Sequence, residues 1–484
     1  MNYKIIGRYL GILLMLEAAF LIPPAVISLM DGEARALSAL LIAMALSLAA
    51  GVLLWMLCRR YMRVLYAKEG FVLVALAWIA LSLFGALPFY LSREIPSFVD
   101  CFFETVSGFT TTGASVLKDV EAISRGLLFW RSFTHWLGGM GILVFLMALE
   151  PSSRGSGFAL HVMRAESPGP AVGKLVPKIS QTAKILYGIY IAMTVLCVGF
   201  LLAGGMPLFD SLCTAFGTAG TGGFGIKNDS LAGYSRYIQS VVTVFMALCG
   251  VNFAVYYLFF RNWRAAIKDE EVRLYFFILI AATALIAANI VPVVGDVGES
   301  IREAAFHVSS IMTTTGFAIS DYNTWPQFSH GILMLLMILG ACAGSTGGGI
   351  KTVRLLLILK YMRAGIKKML RPHSVQVISL GGKPVDGSVM RGLNVYMAAY
   401  CCIVVISFLI VSLDGNSVLT NISATLACFN NIGPGLDVVG PVSNYSSFSM
   451  LSKLVLTADM LLGRLEIFPL IALFSPSLYR RKSK

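Results

Sequence analysis

Four tetrads in this chain close on glycine: Thr110-Thr111-Thr112-Gly113, Gly220-Thr221-Gly222-Gly223, Thr313-Thr314-Thr315-Gly316 and Asn430-Asn431-Ile432-Gly433. Backbone carbonyls arranged in rings supply the uncharged oxygens that replace the hydration shell of an alkali cation. Glycine reaches the backbone angles that turn successive carbonyls toward one axis. Threonine and asparagine add small polar groups that brace such a loop without adding charge. The chemistry on offer is therefore coordination of a dehydrated cation. One such tetrad is equally well read as a small-residue contact between packed membrane helices. Four in the same setting favour a filter.

Each tetrad ends a short apolar stretch, residues 100–113, 210–223, 303–316 and 420–433, and in the first three an acid stands thirteen positions ahead of the closing glycine. A dozen residues cannot cross the hydrocarbon core. They can enter and return only where protein or a watery cavity shields their irregular backbone. A half-helix that ends at the tetrad also aims its partial negative end at a cation.

The elements that must position these loops are membrane spans. Of 484 residues, 57% are hydrophobic and 13% charged, about half the charge of a soluble domain; mean hydropathy is +0.78. Spans are expected near 5–30, 37–58, 71–91, 128–149, 183–204, 238–260, 273–291, 330–360, 390–412 and 450–473. The first apolar run, residues 10–29, lacks a small-residue cleavage site and reads as a retained helix. After an opening pair, the order span, short segment, tetrad, span occurs four times, with a period of roughly a hundred residues. The expected fold is an all-α polytopic membrane protein. Four pseudo-equivalent helix–pore loop–helix units surround one central pore, preceded by two extra transmembrane helices. The units run 67–165, 166–268, 269–380 and 381–484, after an N-terminal pair over 1–66.

The net charge of +13 does not indicate nucleic acid. With the N-terminus cytoplasmic, most Lys and Arg fall on that side, the positive-inside bias, and both termini are then cytoplasmic. The densest basic run, 351–371, reads first as a topology determinant and second as a docking surface. The nine cysteines follow no metal or disulfide spacing and behave as small hydrophobes. No Ser/His/Asp set, carboxylate pair or metal cluster stands in register, so no enzyme and no organic cofactor are expected.

One feature breaks the regularity, and on the sequence it belongs to the third unit alone. Residues 340–349 hold five glycines in ten positions, each costing about 1 kcal/mol in a helix relative to alanine. The span is expected to break there into a small, flexible loop beneath the tetrads. Gly344, Ser345, Thr346, Gly347, Gly348 and Gly349, with Lys351, are the candidate gate. The run is not a phosphate loop, because Ile350 separates glycine from lysine and no strand precedes it. Arg464, well inside the last apolar run, either faces the pathway or pairs with Glu466 or Asp459. Glu17 reads as packing or interfacial, Glu150 as a span end, and His135 as interfacial.

Together these motifs resemble the Trk/Ktr/HKT superfamily of potassium transporters, on its TrkH-type branch. The segments that carry the resemblance are 110–113 with 136–141, 217–224, 313–317, 343–351, 430–435 and 463–469. The resemblance implies potassium as the transported ion, Gly113, Gly223, Gly316 and Gly433 as filter glycines, residues 344–349 as an intramembrane gate and Arg464 as a pore-facing arginine. Glycine rather than serine at position 113 implies potassium over sodium. It further implies a bacterial cytoplasmic (inner) membrane location, a homodimer in the lipid bilayer and a cytoplasmic nucleotide-binding regulatory subunit of TrkA type. The second unit, around residues 249–253, is poorer in glycine than the resemblance implies and is given no role. Two other classes stay open. A cation-coupled secondary transporter with alternating access predicts inverted repeats and intramembrane acids, and a non-transporting membrane subunit leaves four filter loops without a purpose.

Overall fold

The computed structural model describes residues 2–59, 67–141, 179–374 and 376–476. These are mostly helical, with one small hairpin pairing Ser379–Leu380 with Lys383–Pro384. The predicted stretch 142–149 and Glu150 lie outside them.

Among the described residues, six helices are long and apolar enough to cross a membrane: Tyr3–Met30, Ala34–Cys58, Lys68–Ser92, Gln181–Ala203, Glu270–Val294 and Gly387–Asp414. They match the opening pair and the first span of each unit. The opening pair packs backbone to backbone. A side chain at Gly11 would meet the Gly51 carbonyl oxygen at 2.6 Å, and one at Gly51 the Gly11 carbonyl oxygen at 2.8 Å. Such small-residue contact lets helices approach closely in lipid.

The second span of the third unit breaks where expected, and those of the other units differ from expectation. Arg236–Cys249 and Phe253–Arg261 meet at an angle of 87°. Gln327–Ile338 and Thr352–Leu370 are separated by the glycine-rich loop, and Met450–Arg464 stops before a short helix, Phe468–Leu473. The first unit's Arg125–Gly139 ends at Gly138-Gly139-Met140-Gly141, with Gly141 at φ 85°. Breaking the second span is thus not peculiar to the third unit. The causes are local. Asn252 caps a new helix by accepting from the Ala254 N–H, a strong start signal inside an apolar run. Glu466 and Ile467 hold φ of 51° and 72°, which no helix accommodates.

Between the two spans of each unit lies a short helix: Phe98–Phe109, Leu208–Gly220, Val297–Met312 and Val418–Phe429. Three start on a side-chain cap, where Ser97, Asp296 and Ser417 accept from the N–H of Asp100, Glu299 and Thr420, as helix N-termini require. The shared acid spacing does not mean a shared role. Asp100 pairs with Lys453 of the fourth unit at 2.8 Å, Asp210 accepts from the Tyr234 hydroxyl, and Glu303 accepts from Ser320. The third helix begins six residues before Glu303, so that acid stands beyond the first turn.

Candidate functional site

The four tetrads have one backbone conformation. In each, the second residue is left-handed: Thr111, Thr221, Thr314 and Asn431 have φ of 56°, 53°, 60° and 56°. The closing glycines Gly113, Gly223, Gly316 and Gly433 follow at 80°, 77°, 86° and 95°. The third residue's N–H reaches back to the helix in every unit. Thr112, Gly222, Thr315 and Ile432 donate to the carbonyls of Ser107, Gly217, Ser310 and Ala427, each at 2.8 Å. This is a Schellman-type closure. It spends the N–H groups of the second and third residues on the preceding helix, and no backbone N–H among the described residues is directed at the third-position carbonyls.

The tetrads also close on one another. A side chain at Gly113 would run into the Gly222 carbonyl oxygen, one at Gly223 into that of Thr315, and one at Gly316 into that of Ile432. One at Gly433 would meet the Thr112 carbonyl oxygen at 2.6 Å. Units one, two, three and four thus form a closed ring, each glycine against the next unit's third carbonyl. All four glycines face a single cavity of about 160 Å³, with Lys118 and Lys227 at its rim. All sixteen tetrad residues singled out by their pattern are brought together here.

The bracing differs from one quadrant to the next. Thr110 bonds Thr112 at 2.8 Å and Thr313 bonds Thr315 at 2.7 Å. In the fourth unit, Asn431 donates to Thr112 Oγ1 and to the Met460 carbonyl, each at 2.9 Å, while Asn430 exchanges hydrogen bonds with the Tyr400 hydroxyl. In the second unit, His135 fills the space in front of Gly222, where a Cβ would overlap the imidazole ring. Its Nε2 accepts from the Phe224 N–H at 3.2 Å, so its Nδ1 donates to the Gly108 carbonyl at 2.8 Å. His135 is fully buried, not interfacial.

A buried ion pair stands behind the first two quadrants, unannounced by any motif. Glu104 accepts from Arg131 Nε at 2.6 Å, from Ser115 and from the Val116 N–H. Arg131 also donates to the Gly225 carbonyl and lies 3.5 Å from the Phe224 ring centroid. The pair ties together the irregular segments that leave tetrads one and two. Glu17 is buried as well, with its carboxylate 3.0 Å from the position a Cβ would take on Gly85, which excludes the interfacial reading.

Below the ring, the glycine-rich loop is largely buried, with Gly344 exposed, and is tied down by hydrogen bonds. The broken helix ends zip together, Gly340 N–H to the Ile350 carbonyl at 2.8 Å and Thr352 N–H to the Ala341 carbonyl at 3.1 Å. The loop between them is held by the second unit's break. Cys342 N–H donates to the Gly250 carbonyl, and the Gly344 carbonyl accepts from the Phe253 N–H, each at 3.0 Å. Residues 249–253, given no role on the sequence, are the seat of this loop. Upward, the Gly348 N–H donates to Thr314 Oγ1 at 2.6 Å. Lys351 turns back and donates to the carbonyls of Gly347 and Gly348.

Arg464 crosses the same level from the fourth unit. It donates to the Gly138 and Gly139 carbonyls at 2.5 and 2.7 Å, to the Thr346 carbonyl at 2.9 Å, and reaches Thr111 Oγ1 at 3.4 Å. Neither expected ion pair forms: Glu466 is taken by Arg354, and Asp459 accepts from Ser407. Two cationic side chains and a glycine loop therefore stand directly under a ring of carbonyls. Such an arrangement accepts a cation above and opposes its passage below.

A family profile described as "TrkH: Cation transport protein" matches residues 36–482. The "Trk system potassium uptake protein TrkH" of Salmonella typhimurium is 35% identical over 493 residues, covering 99% of this chain and all of the relative. The "Trk system potassium uptake protein TrkG" of Escherichia coli is 31% identical over 487 residues, covering 99% of each. A solved structure, "Crystal Structure of the Potassium Transporter TrkH from Vibrio parahaemolyticus", superposes with a TM-score of 0.88 at 31% identity, covering 99% of this chain and all of that one.

Proposed function

The chain belongs to the TrkH family of cation transport proteins, and from that membership we propose that the carbonyl ring is its potassium filter and the structure beneath the ring its gate. It is a multi-pass membrane protein and a potassium uptake transporter of the Trk type. One observation carries the filter reading: four tetrads of identical backbone conformation close into a cycle, with each glycine seated on its neighbour's third carbonyl. The short helices end at this ring, and each contributes a partial negative charge of about half a unit at its carbonyl end.

Gating rests on residues 344–349, Lys351 and Arg464. Their positive charges raise the local barrier to a cation, and the loop fills the path that the ring opens. The basic helix Thr352–Leu370 exposes Arg363, Lys367 and Lys368, a surface suited to a cytoplasmic nucleotide-binding subunit of TrkA type. The proposal extends to a homodimer in the bacterial cytoplasmic membrane with both termini cytoplasmic, and to unit boundaries at 66/67, 165/166, 268/269 and 380/381.

Rubidium and sodium uptake in cells stripped of other potassium uptake tests the filter. Gly113→Ser is expected to lose discrimination between the two ions at unchanged expression. Wild-type uptake and selectivity in that variant would sink the reading. Flux in proteoliposomes tests the gate, where removal of residues 344–349 is expected to raise it.

A further inference from the structure

The glycine loop is one excursion in a helix, and both of its ends meet a side chain that the filter and gate do not include. Glu271 lies in the first turn of Glu270–Val294 and is buried. Its Oε1 accepts from the Ala343 N–H at 2.6 Å and from the Val353 N–H at 3.1 Å. One carboxylate oxygen thus spans the loop, gripping the residue before Gly344 and the second residue of Thr352–Leu370. The backbone that carries it is fixed too, because Asp269 accepts from the Glu271 and Val272 N–H groups at 3.0 and 3.1 Å.

The preceding residue grips the same basic helix farther down. Glu270 pairs with Lys360 at 2.5 Å, and Lys360 also donates to the Ser379 carbonyl at 2.7 Å. Two consecutive carboxylates of one span therefore hold the loop and the helix that leads from it into the cytoplasm. We propose that Glu271 is a latch: a positioning residue that keeps the loop closed and lets go when Thr352–Leu370 moves. The inference rests on the gate reading above.

The physical reason is the shared oxygen. Val353 belongs to the moving helix and Ala343 to the other limb of the loop, so displacement of the helix stretches the Val353 contact while Ala343 stays. Losing the acceptor costs the Val353 contact in the closed arrangement alone, the Ala343 contact being lost from both, which shifts the balance toward open. Glu270–Lys360, by contrast, is partly exposed and yields to salt and to a competing partner.

The test is rubidium flux through the full-length chain in proteoliposomes without a cytoplasmic partner. Five proteins are compared: wild type, Glu271→Gln, Glu271→Ala, a variant lacking residues 344–349, and that deletion combined with Glu271→Ala. Glu271→Ala is expected to raise flux about tenfold, the scale of losing a buried hydrogen-bonded acceptor. Glu271→Gln keeps a carbonyl acceptor and is expected to stay near wild type, a rescue that general destabilisation does not produce. In the loop-deleted background, Glu271→Ala is expected to add nothing. If deletion raises flux while Glu271→Ala matches wild type, the latch is overturned and the gate stands. A further rise from Glu271→Ala in the deleted background also overturns the latch. If deletion leaves flux unchanged, the gate reading itself falls. Should Glu271→Ala fail to reach the membrane, Glu271→Asp, which withdraws the oxygens by one bond, is read by the same criteria.

Discussion

The two halves of the candidate pathway, the tetrad ring and the second spans beneath it, obey different rules. Above, four tetrads repeat one set of angles and one 2.8 Å hydrogen bond. Below, the four chain segments do four different things: one ends in a glycine pair, one bends by 87°, one leaves the helix for a loop, and one turns at Glu466 and Ile467. Coordination of a spherical ion is served by equivalence around an axis. Control is served by inequivalence, since a single moving piece needs fixed neighbours to move against. The loop has them in residues 249–253, Thr314, Arg464 and Glu271.

The comparison predicts that changes above the boundary alter selectivity or folding, and changes below it alter rate. The largest effect is expected for Glu104→Ala, which strands Arg131 in a buried site. Breaking such a pair costs about 3–5 kcal/mol, so thermal stability of the purified protein in detergent should drop sharply. Next is Gly113→Ser, which forces a side chain into a left-handed position against the Gly222 carbonyl. Strain of about 1–3 kcal/mol corresponds to a change of tenfold or so in the rubidium-to-sodium uptake ratio, with stability less affected. Arg464→Gln removes one positive charge and part of a carbonyl clamp. It should raise rubidium flux several-fold, roughly 1 kcal/mol of barrier, and leave the ion ratio untouched. A changed ratio here would erase the division between the halves.

The smallest effect concerns the outer rim. Asp437 accepts from Ser417 and Thr420, and these bonds hold its carboxyl below the usual aspartate range. Because the folded value is depressed, the stabilisation is present at neutral pH and fades as pH falls through that lowered value. Asp437→Ala should therefore melt slightly below wild type at pH 7, and the gap should close in strong acid.

The regular half was legible in the sequence because its constraints are local. A left-handed residue followed by a closing glycine needs small, flexible types, and these stand out against apolar flanks. The third unit's break was legible for the same reason. The other breaks were not, since hydropathy summed over 238–260 or 450–473 is only slightly lowered by one capping asparagine or one glutamate, and left-handed backbone leaves no mark on it. His135 was misread because its place is defined by a side chain missing from Gly222, far along the chain. Glu271 was invisible for a related reason: a carboxylate at the foot of a span looks like a charged border residue, and only tertiary structure puts it across both loop ends.

The way the ring's N–H groups are committed has a further consequence for its rigidity. A peptide plane carries the carbonyl of one residue and the N–H of the next, so the hydrogen bonds of the second and third residues stop the first and second carbonyls from flipping in all four quadrants. The third carbonyl shares its plane with the closing glycine's N–H. That N–H is tied back in Gly316 and Gly433, to Ser310 at 3.3 Å and Ala427 at 3.5 Å, but not among the described residues in Gly113 or Gly223. Plane rotation at the outermost carbonyl is therefore cheapest in the first two quadrants. An inactivated state reached by such a flip would begin at Thr112 or Gly222, on the side of the ring backed by Glu104, Arg131 and His135.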